Sequence, residues 1–478
     1  MSEGTGSDPV AAVTAAAGAA SGVSRAGLIG ISVGVVAAGA AAGVAIERLT
    51  VGRATRRRAR AELDANAPYG SLRGRPCTVA AADGTELYVE LDGTGWPGPA
   101  RELPEPPRQT PTATPTPIPA PTTDAPGGRT VRRSWFARRR PGPAATTVTV
   151  TAAGAAPRIT ATTRPATTRP APTDSATEPA ITEPAAEPLT VVFCHGYCLN
   201  QDSWHFQRAA LREGMRLVFW DQRSHGRSER SRSYLAGEPA SIDQLGGDLK
   251  AVIDAVAPTG PLVLVGHSMG GMTVMALADQ HPELFRERVA GVALVGTLAG
   301  DWDAVTLGLP AAGAKLFKKV APSMMKLLGR QVELVEATRR LGADVSAVFY
   351  RKFSFGGKDV DPGVVRFAEQ LLDATPIDVV AEFYPVFGAH EKSAALAALR
   401  GIPTLVLAGT KDLLTPPGHS EAIAQQLPGA ELDLVEDAGH LVMLERPDLV
   451  DRRLAGLLKQ AVDHRRAAPL PPSVRELA

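Results

Sequence analysis

The chain has 478 residues, with 51 Lys+Arg against 50 Asp+Glu and a formal net charge of +1. That balance offers no basic excess for a nucleic-acid partner, and three cysteines exclude a disulfide framework. No Cys/His cluster has zinc-finger spacing, and the sequence implies no metal and no cofactor.

Residues 1–25 read as a disordered tail. Ala26 to Ile46 then runs without a charge or a proline. As a helix it would be about 31 Å long, enough to cross a bilayer. Gly30-x-x-x-Gly34 and Gly39-x-x-x-Gly43 are spacings that let membrane helices approach closely. Arg48, Arg53, Arg56, Arg57, Arg58 and Arg60 follow, whereas the preceding tail offers only Arg25. The positive-inside rule therefore predicts a single-pass protein with its C-terminal side in the cytoplasm. Residues 47–76 read as a basic juxtamembrane linker.

A folded part is expected to begin at residues 77–94. Glu86-Leu-Tyr-Val-Glu-Leu91 alternates as a strand should, after an Asp83-Gly84 turn. Half of the 40 prolines then fall between Gly95 and Pro188, in a stretch dominated by Ala, Thr and Pro. Such a composition cannot bury enough apolar surface to offset its ordering entropy, so 95–186 reads as a disordered insertion. The same composition is common on exposed outer-surface stalks, which opposes the cytoplasmic placement; the arginine asymmetry is given precedence.

From 187 to 299 short apolar runs alternate with helical patterns. The runs are Leu189–Phe193, Arg216–Trp220, Leu262–Val265 and Ala290–Val295; the helices are Ile242–Val256 and Gly271–Gln280. Residues 401–465 resume the alternation with Thr404–Ala408, Glu431–Val435 and a helix over Leu449–Val462. Near-continuous apolar strands alternating with helices predict an α/β fold, a mainly parallel sheet covered on both faces. Between them, 300–400 shows only helical patterns: Ala311–Leu328, Val332–Leu341, Pro362–Ala374 and Ile377–Phe387. This interval is expected to form a helical cap, with Leu307, Leu309, Leu316, Phe317, Met324, Met325, Leu327, Phe383 and Phe387 among the residues of an apolar lining. Residues 466–478 read as a C-terminal tail.

Gly266-His-Ser268-Met-Gly270 follows a strand and opens a helix, which is the setting of a nucleophile elbow. A serine hydroxyl needs a base to take its proton and an acid to orient that base. Asp412 and His440 each lie just past a strand end and come in the order Ser, acid, His. Asp301 or Asp303 would be the acid if Asp412 served only as a helix cap. The oxyanion donors are assigned to the amides of Tyr197, after the strand Leu189–Phe193, and Met269, after Ser268. His195 and His267 read as structural, and Cys194 and Cys198 as small fillers.

Together, His195-Gly196, Asp221-Gln-Arg-Ser-His-Gly-Arg-Ser228, Gly266-His-Ser-Met-Gly-Gly271, Gly409-Thr-Lys-Asp412, Gly439-His440 and Glu445-Arg-Pro447 resemble the α/β-hydrolase family. The similarity points most to bacterial esterases, lipases and non-haem haloperoxidases with a helical cap. It implies an α/β-hydrolase sheet and a serine hydrolase acting on carboxylic esters; the apolar residues of the 300–400 interval point to a small apolar ester as substrate, and the segment 26–46, which departs from the family pattern, to the membrane as partner. It also implies that the Asp221–Ser228 loop stabilises the fold. A carbon–carbon bond hydrolase, a perhydrolase or an acyltransferase would use the same triad. The alternative of another class is a non-catalytic ligand-binding protein, against which the intact Ser268, Asp412 and His440 argue.

Overall fold

The computed structural model describes residues 62–63, 69–96, 187–329, 351–465 and 469–478. The expected tail 1–25, the membrane helix 26–46, the insertion from 97 to 186 and the helix Val332–Leu341 lie outside the described residues. Among the described residues no helix is long and apolar enough to cross a membrane.

Eight strands form one sheet: β1 (Arg75–Ala80), β2 (Glu86–Gly93), β3 (Thr190–Cys194), β4 (Arg216–Trp220), β5 (Leu262–His267), β6 (Val289–Val295), β7 (Thr404–Gly409) and β8 (Glu431–Val435). Their order is β1-β2-β4-β3-β5-β6-β7-β8. Only β2 runs against its neighbours; every pairing from β4 to β8 is parallel. β1 was not foreseen as a strand. It pairs with β2 across the turn at Asp83-Gly84, from Arg75 opposite Leu91 to Ala80 opposite Glu86.

Alternate residues of the central strands feed two apolar layers. Val191, Phe193, Leu217, Phe219, Val263 and Val265 face Val450, Leu454, Leu457 and Leu458 of the C-terminal helix Pro447–Arg465. Val192, Val218, Leu262, Leu264, Val292 and Leu294 face the helices Ile242–Val256 and Met269–Gln280. Ser241 starts the first of these by accepting from the Gln244 amide, a side-chain N-cap.

Three boundaries move relative to the sequence reading. Residues 69–76 belong to the fold: Tyr69 packs edge-on against His205 and Phe206, and Arg73 pairs with Asp202 at 2.8 Å. The tail beyond 466 is also anchored, because Leu470 and Val474 are buried in the layer under the C-terminal helix. The interval 300–400 divides. Val364, Val365, Phe367 and Leu371 of the helix Pro362–Asp373 join the core layer of the body, and Ala395, Leu396 and Leu399 join the layer on the opposite face. The long helical pattern from Ile377 stops at Phe383 and resumes at Val386, since Pro385 cannot donate the hydrogen bond that would continue it.

Candidate active site

The turn between β5 and the helix Met269–Gln280 holds Ser268 at φ 52°, ψ −118°. Such a positive φ is strained for a residue with a side chain. The neighbouring glycines are required by the tightness of the turn. A Cβ on Gly266 would come within 2.5 Å of the Gly270 carbonyl oxygen, and one on Gly270 within 2.2 Å of the Cys194 carbonyl oxygen. The Ser268 amide donates to Val295 at 2.9 Å, and its carbonyl accepts from Thr297 Oγ1 at 2.8 Å and from the Gly271 amide at 2.9 Å. The elbow is thus pinned to β6 on one side and to its own helix on the other, which leaves the hydroxyl outside the backbone pairing.

His440 Nδ1 lies 2.8 Å from Asp412 Oδ2. Both side chains are buried, on loops that leave β8 and β7 at their C-terminal ends. The Asp412 carboxylate is held in place by its own loop: the amides of Leu414 and Thr415 donate to Oδ1 at 2.8 and 2.9 Å, and Thr415 Oγ1 donates to Oδ2 at 2.7 Å. Thr415 Oγ1 also lies 3.3 Å from His440 Nδ1, so one hydroxyl touches both partners. On the other side, the Glu445 carboxylate accepts from the amides of Gly439 at 2.7 Å, Gly356 at 3.1 Å and Gly357 at 2.6 Å. It therefore clamps the turn just before His440. Asp301, one of the two rivals for the acid, lines a cavity of about 340 Å³ together with Pro416, His419 and Gln426.

The loop after β3 abuts the elbow, because a Cβ on Gly196 would stand 3.2 Å from Ser268 Cβ and 2.6 Å from His267 Nδ1. Tyr197 and Met269, whose amides are the expected oxyanion donors, flank Ser268 from this loop and from the helix start. His195 and His267 are buried and serve the turns. His195 Nδ1 bonds the Gly196 carbonyl at 2.8 Å while its Nε2 accepts from the Gln222 amide at 2.9 Å. Burial pushes its pKa down to about 3, which keeps the ring neutral. His267 Nε2 bonds the His440 carbonyl at 2.9 Å, and burial likewise drives its pKa far below the ordinary value. The Cys194 thiol is pushed up to about 12 by burial and accepts from Trp220 Nε1, so it behaves as a filler and not as a reactive thiol.

In the Asp221–Ser228 loop, Asp221 accepts from the amides of Gln201 and Arg227, both at 2.8 Å. Arg223 forms a fork with Asp248 at 2.6 and 2.5 Å and reaches Asp83 at 2.9 Å. These bonds tie β1–β2, β4 and the helix Ile242–Val256 together, which is a stabilising role.

An apolar cluster includes Met269, the residue that follows Ser268. Met269 and Met272 from the elbow helix meet Leu298, Val379, Phe383, Val386 and Phe387, with Tyr197, Trp302 and Leu307 packed around them. Phe383, Phe387 and Leu307 of the expected cap lining belong to this buried cluster. Leu309, Leu316 and Leu327 are not: they are exposed on the outer side. Helical periodicity shows that a face is apolar but not what it faces.

Thr415 and Glu445 were not singled out from the sequence as site residues. Glu445 stood within a quoted motif, whereas a lone threonine three residues past an aspartate carries no such signal.

A model of the alpha/beta hydrolase fold matches residues 190–447. The chain is 29% identical over 272 residues to the sn-1-specific diacylglycerol lipase ABHD11 of Mus musculus, covering 55% of this chain and 78% of that protein. It is 24% identical over 269 residues to the pimeloyl-[acyl-carrier protein] methyl ester esterase of Nitrosospira multiformis, covering 54% and 90%. Among solved structures, a thermophilic esterase from Thermogutta terrifontis aligns with a TM-score of 0.46 and 25% identity, covering 58% of this chain and 92% of that one.

Proposed function

The chain belongs to the alpha/beta hydrolase fold family, and from that premise we propose that it is a serine hydrolase that cleaves carboxylic esters through a covalent acyl-enzyme. The observation that carries this reading is the 2.8 Å bond between His440 Nδ1 and Asp412 Oδ2, on loops that leave the carboxyl ends of parallel strands, as the strained Ser268 turn does. With Nδ1–H donated to Asp412, Nε2 is the nitrogen left to act as base. His440 takes the Ser268 proton as Oγ attacks the ester carbonyl. The amides of Tyr197 and Met269 hold the oxyanion of the tetrahedral intermediate. That intermediate collapses as the alkoxide leaves with the proton from His440. A water then attacks the acyl-enzyme with His440 again as base, releasing the acid and restoring Ser268.

The apolar cluster beside Met269 favours esters with uncharged, apolar groups. A buried methylene contributes about 0.8 kcal/mol, so kcat/KM should climb severalfold per two carbons until the pocket is filled. Labelling with a fluorophosphonate, followed by a p-nitrophenyl ester series from acetate to dodecanoate, tests both parts. Absence of adduct on Ser268 would sink the nucleophile. A flat chain-length profile would sink the apolar selection.

A further inference from the structure

The helix Ala311–Gly329 has two unlike faces. Inward, Ala314 and Ala321 are buried, and a Cβ on Gly329 would stand 2.8 Å from Ala381 Cβ, so the helix end rests on the helix Ile377–Phe383. Outward, Leu316 is 61% exposed, Val320 41% and Leu327 58%, and Leu309 just before the helix is 42% exposed. These are four of the six large apolar side chains exposed among the described residues. Spacings of four and seven place Leu316, Val320 and Leu327 on one stripe.

The charged residues of this segment are of one sign, while the carboxylates ahead of it, Asp301 and Asp303, act on Lys318. From Val305 to Gly329 the chain carries Lys315, Lys318, Lys319 and Lys326 and no carboxylate. Lys315 and Lys319 are exposed next to the stripe, whereas Lys318 turns inward and bonds the Trp302 carbonyl. An exposed apolar stripe bordered by cations is the pattern of a helix that lies in a membrane interface. A protein partner of the ordinary kind would be expected to meet a mixed or acid-bearing rim; an anionic lipid surface complements lysines alone.

We infer that the helix Ala311–Gly329, with Leu309 ahead of it, is a docking surface for an anionic phospholipid bilayer. Leu316, Val320 and Leu327 enter the acyl boundary while Lys315 and Lys319 meet the lipid phosphates. The surface is distinct from the apolar segment 26–46, and it does not depend on the chain being an esterase.

The test uses the full chain carrying Leu316→Trp, with Leu327→Trp as a second reporter should the first perturb the fold. Emission is recorded relative to the parent chain with vesicles of phosphatidylcholine alone, or with added phosphatidylglycerol, including brominated acyl chains. The added indole should be solvent-like without vesicles. It should shift to shorter wavelength and be quenched when phosphatidylglycerol vesicles are added. Lys315→Gln with Lys319→Gln should weaken that response roughly 30-fold, the effect of two lysines each contributing about 1 kcal/mol at an anionic surface. No spectral response to anionic vesicles in either reporter would overturn the proposal. So would a blue-shifted, unquenched indole already present without vesicles, which would mean that the face is covered by this chain or by a second copy.

Discussion

The hydroxyl of Tyr197 donates a hydrogen bond to the backbone carbonyl of Val380, which ties the loop after β3 to the helix Ile377–Phe383. A second bond reinforces the first: Thr375 Oγ1 donates to the Cys198 carbonyl at 3.0 Å. The loop after β4 holds the same helix, through Arg230 to Asp378 and Glu382 and through Ser224 Oγ to Glu382 Oε1 at 2.9 Å. This helix is therefore fastened both to the loop that borders Ser268 and to the loop after β4, and its position and that of the Tyr197 amide are linked.

Tyr197→Phe removes that hydroxyl and keeps the ring. The lost bond contributes about 1 kcal/mol net, so kcat is expected to drop about fivefold with KM for small esters little changed. Steady-state kinetics on p-nitrophenyl acetate checks this. A rise in KM at constant kcat would place the tyrosine in ground-state binding instead.

Ser268→Ala should abolish ester turnover by a factor on the order of 10⁶ and leave the melting temperature close to the parent value. The hydroxyl lies outside the backbone bonds that pin the elbow, so its loss does not loosen the fold. Retention of a tenth of the parent activity would remove Ser268 from the mechanism.

Asp412→Asn should cost on the order of 10⁴ in kcat, because an amide cannot hold the His440 tautomer or balance the imidazolium. The matching substitutions Asp301→Asn and Asp303→Asn should leave kcat within about twofold, an expectation checked in the same assay.

Thr415 is expected to act as a positioning residue, since its hydroxyl contacts both Asp412 Oδ2 and His440 Nδ1. Thr415→Val keeps the shape and deletes the donor to a charged oxygen, a bond of about 1.5 kcal/mol or more. The variant should lose about tenfold in kcat, and Thr415→Ser should recover most of it. Failure of serine to rescue would assign the threonine a packing role through its methyl group.

Asp451 supplies a pH-dependent stability effect. It accepts from Gln207 Nε2 at 2.9 Å, and burial pushes its carboxyl up to about 6 from an ordinary 3.8. Between those values the folded chain keeps a proton that the unfolded chain has released, so this group lowers stability as pH rises from about 4 to about 6. Asp451→Asn retains an oxygen for Gln207 and removes the loss. The variant should be more stable than the parent by about 1–3 kcal/mol at pH 8 and match it near pH 4, read by denaturant titration at both pH values. A less stable variant at pH 8 would reverse the sign argued here.

What the sequence determined by itself was local and repetitive. Continuous apolar runs such as Arg216–Trp220 and Thr404–Ala408 mark buried parallel strands, because both faces of each must be covered. The glycines around Ser268 mark the elbow, because only hydrogen fits beside the Gly270 and Cys194 carbonyls. Order along the chain then singles out Asp412 and His440. Tertiary structure decided what depends on residues distant in sequence. β1 has an edge strand's half-exposed pattern and is specified by its register with β2, and Tyr69 joins the fold through His205 and Phe206. Which apolar cap residues turn inward, Phe383 and Phe387, and which turn outward, Leu316 and Leu327, follows from where each helix is fastened. Periodicity defines a stripe on a helix, and only the packed neighbours determine whether that stripe meets protein or solvent.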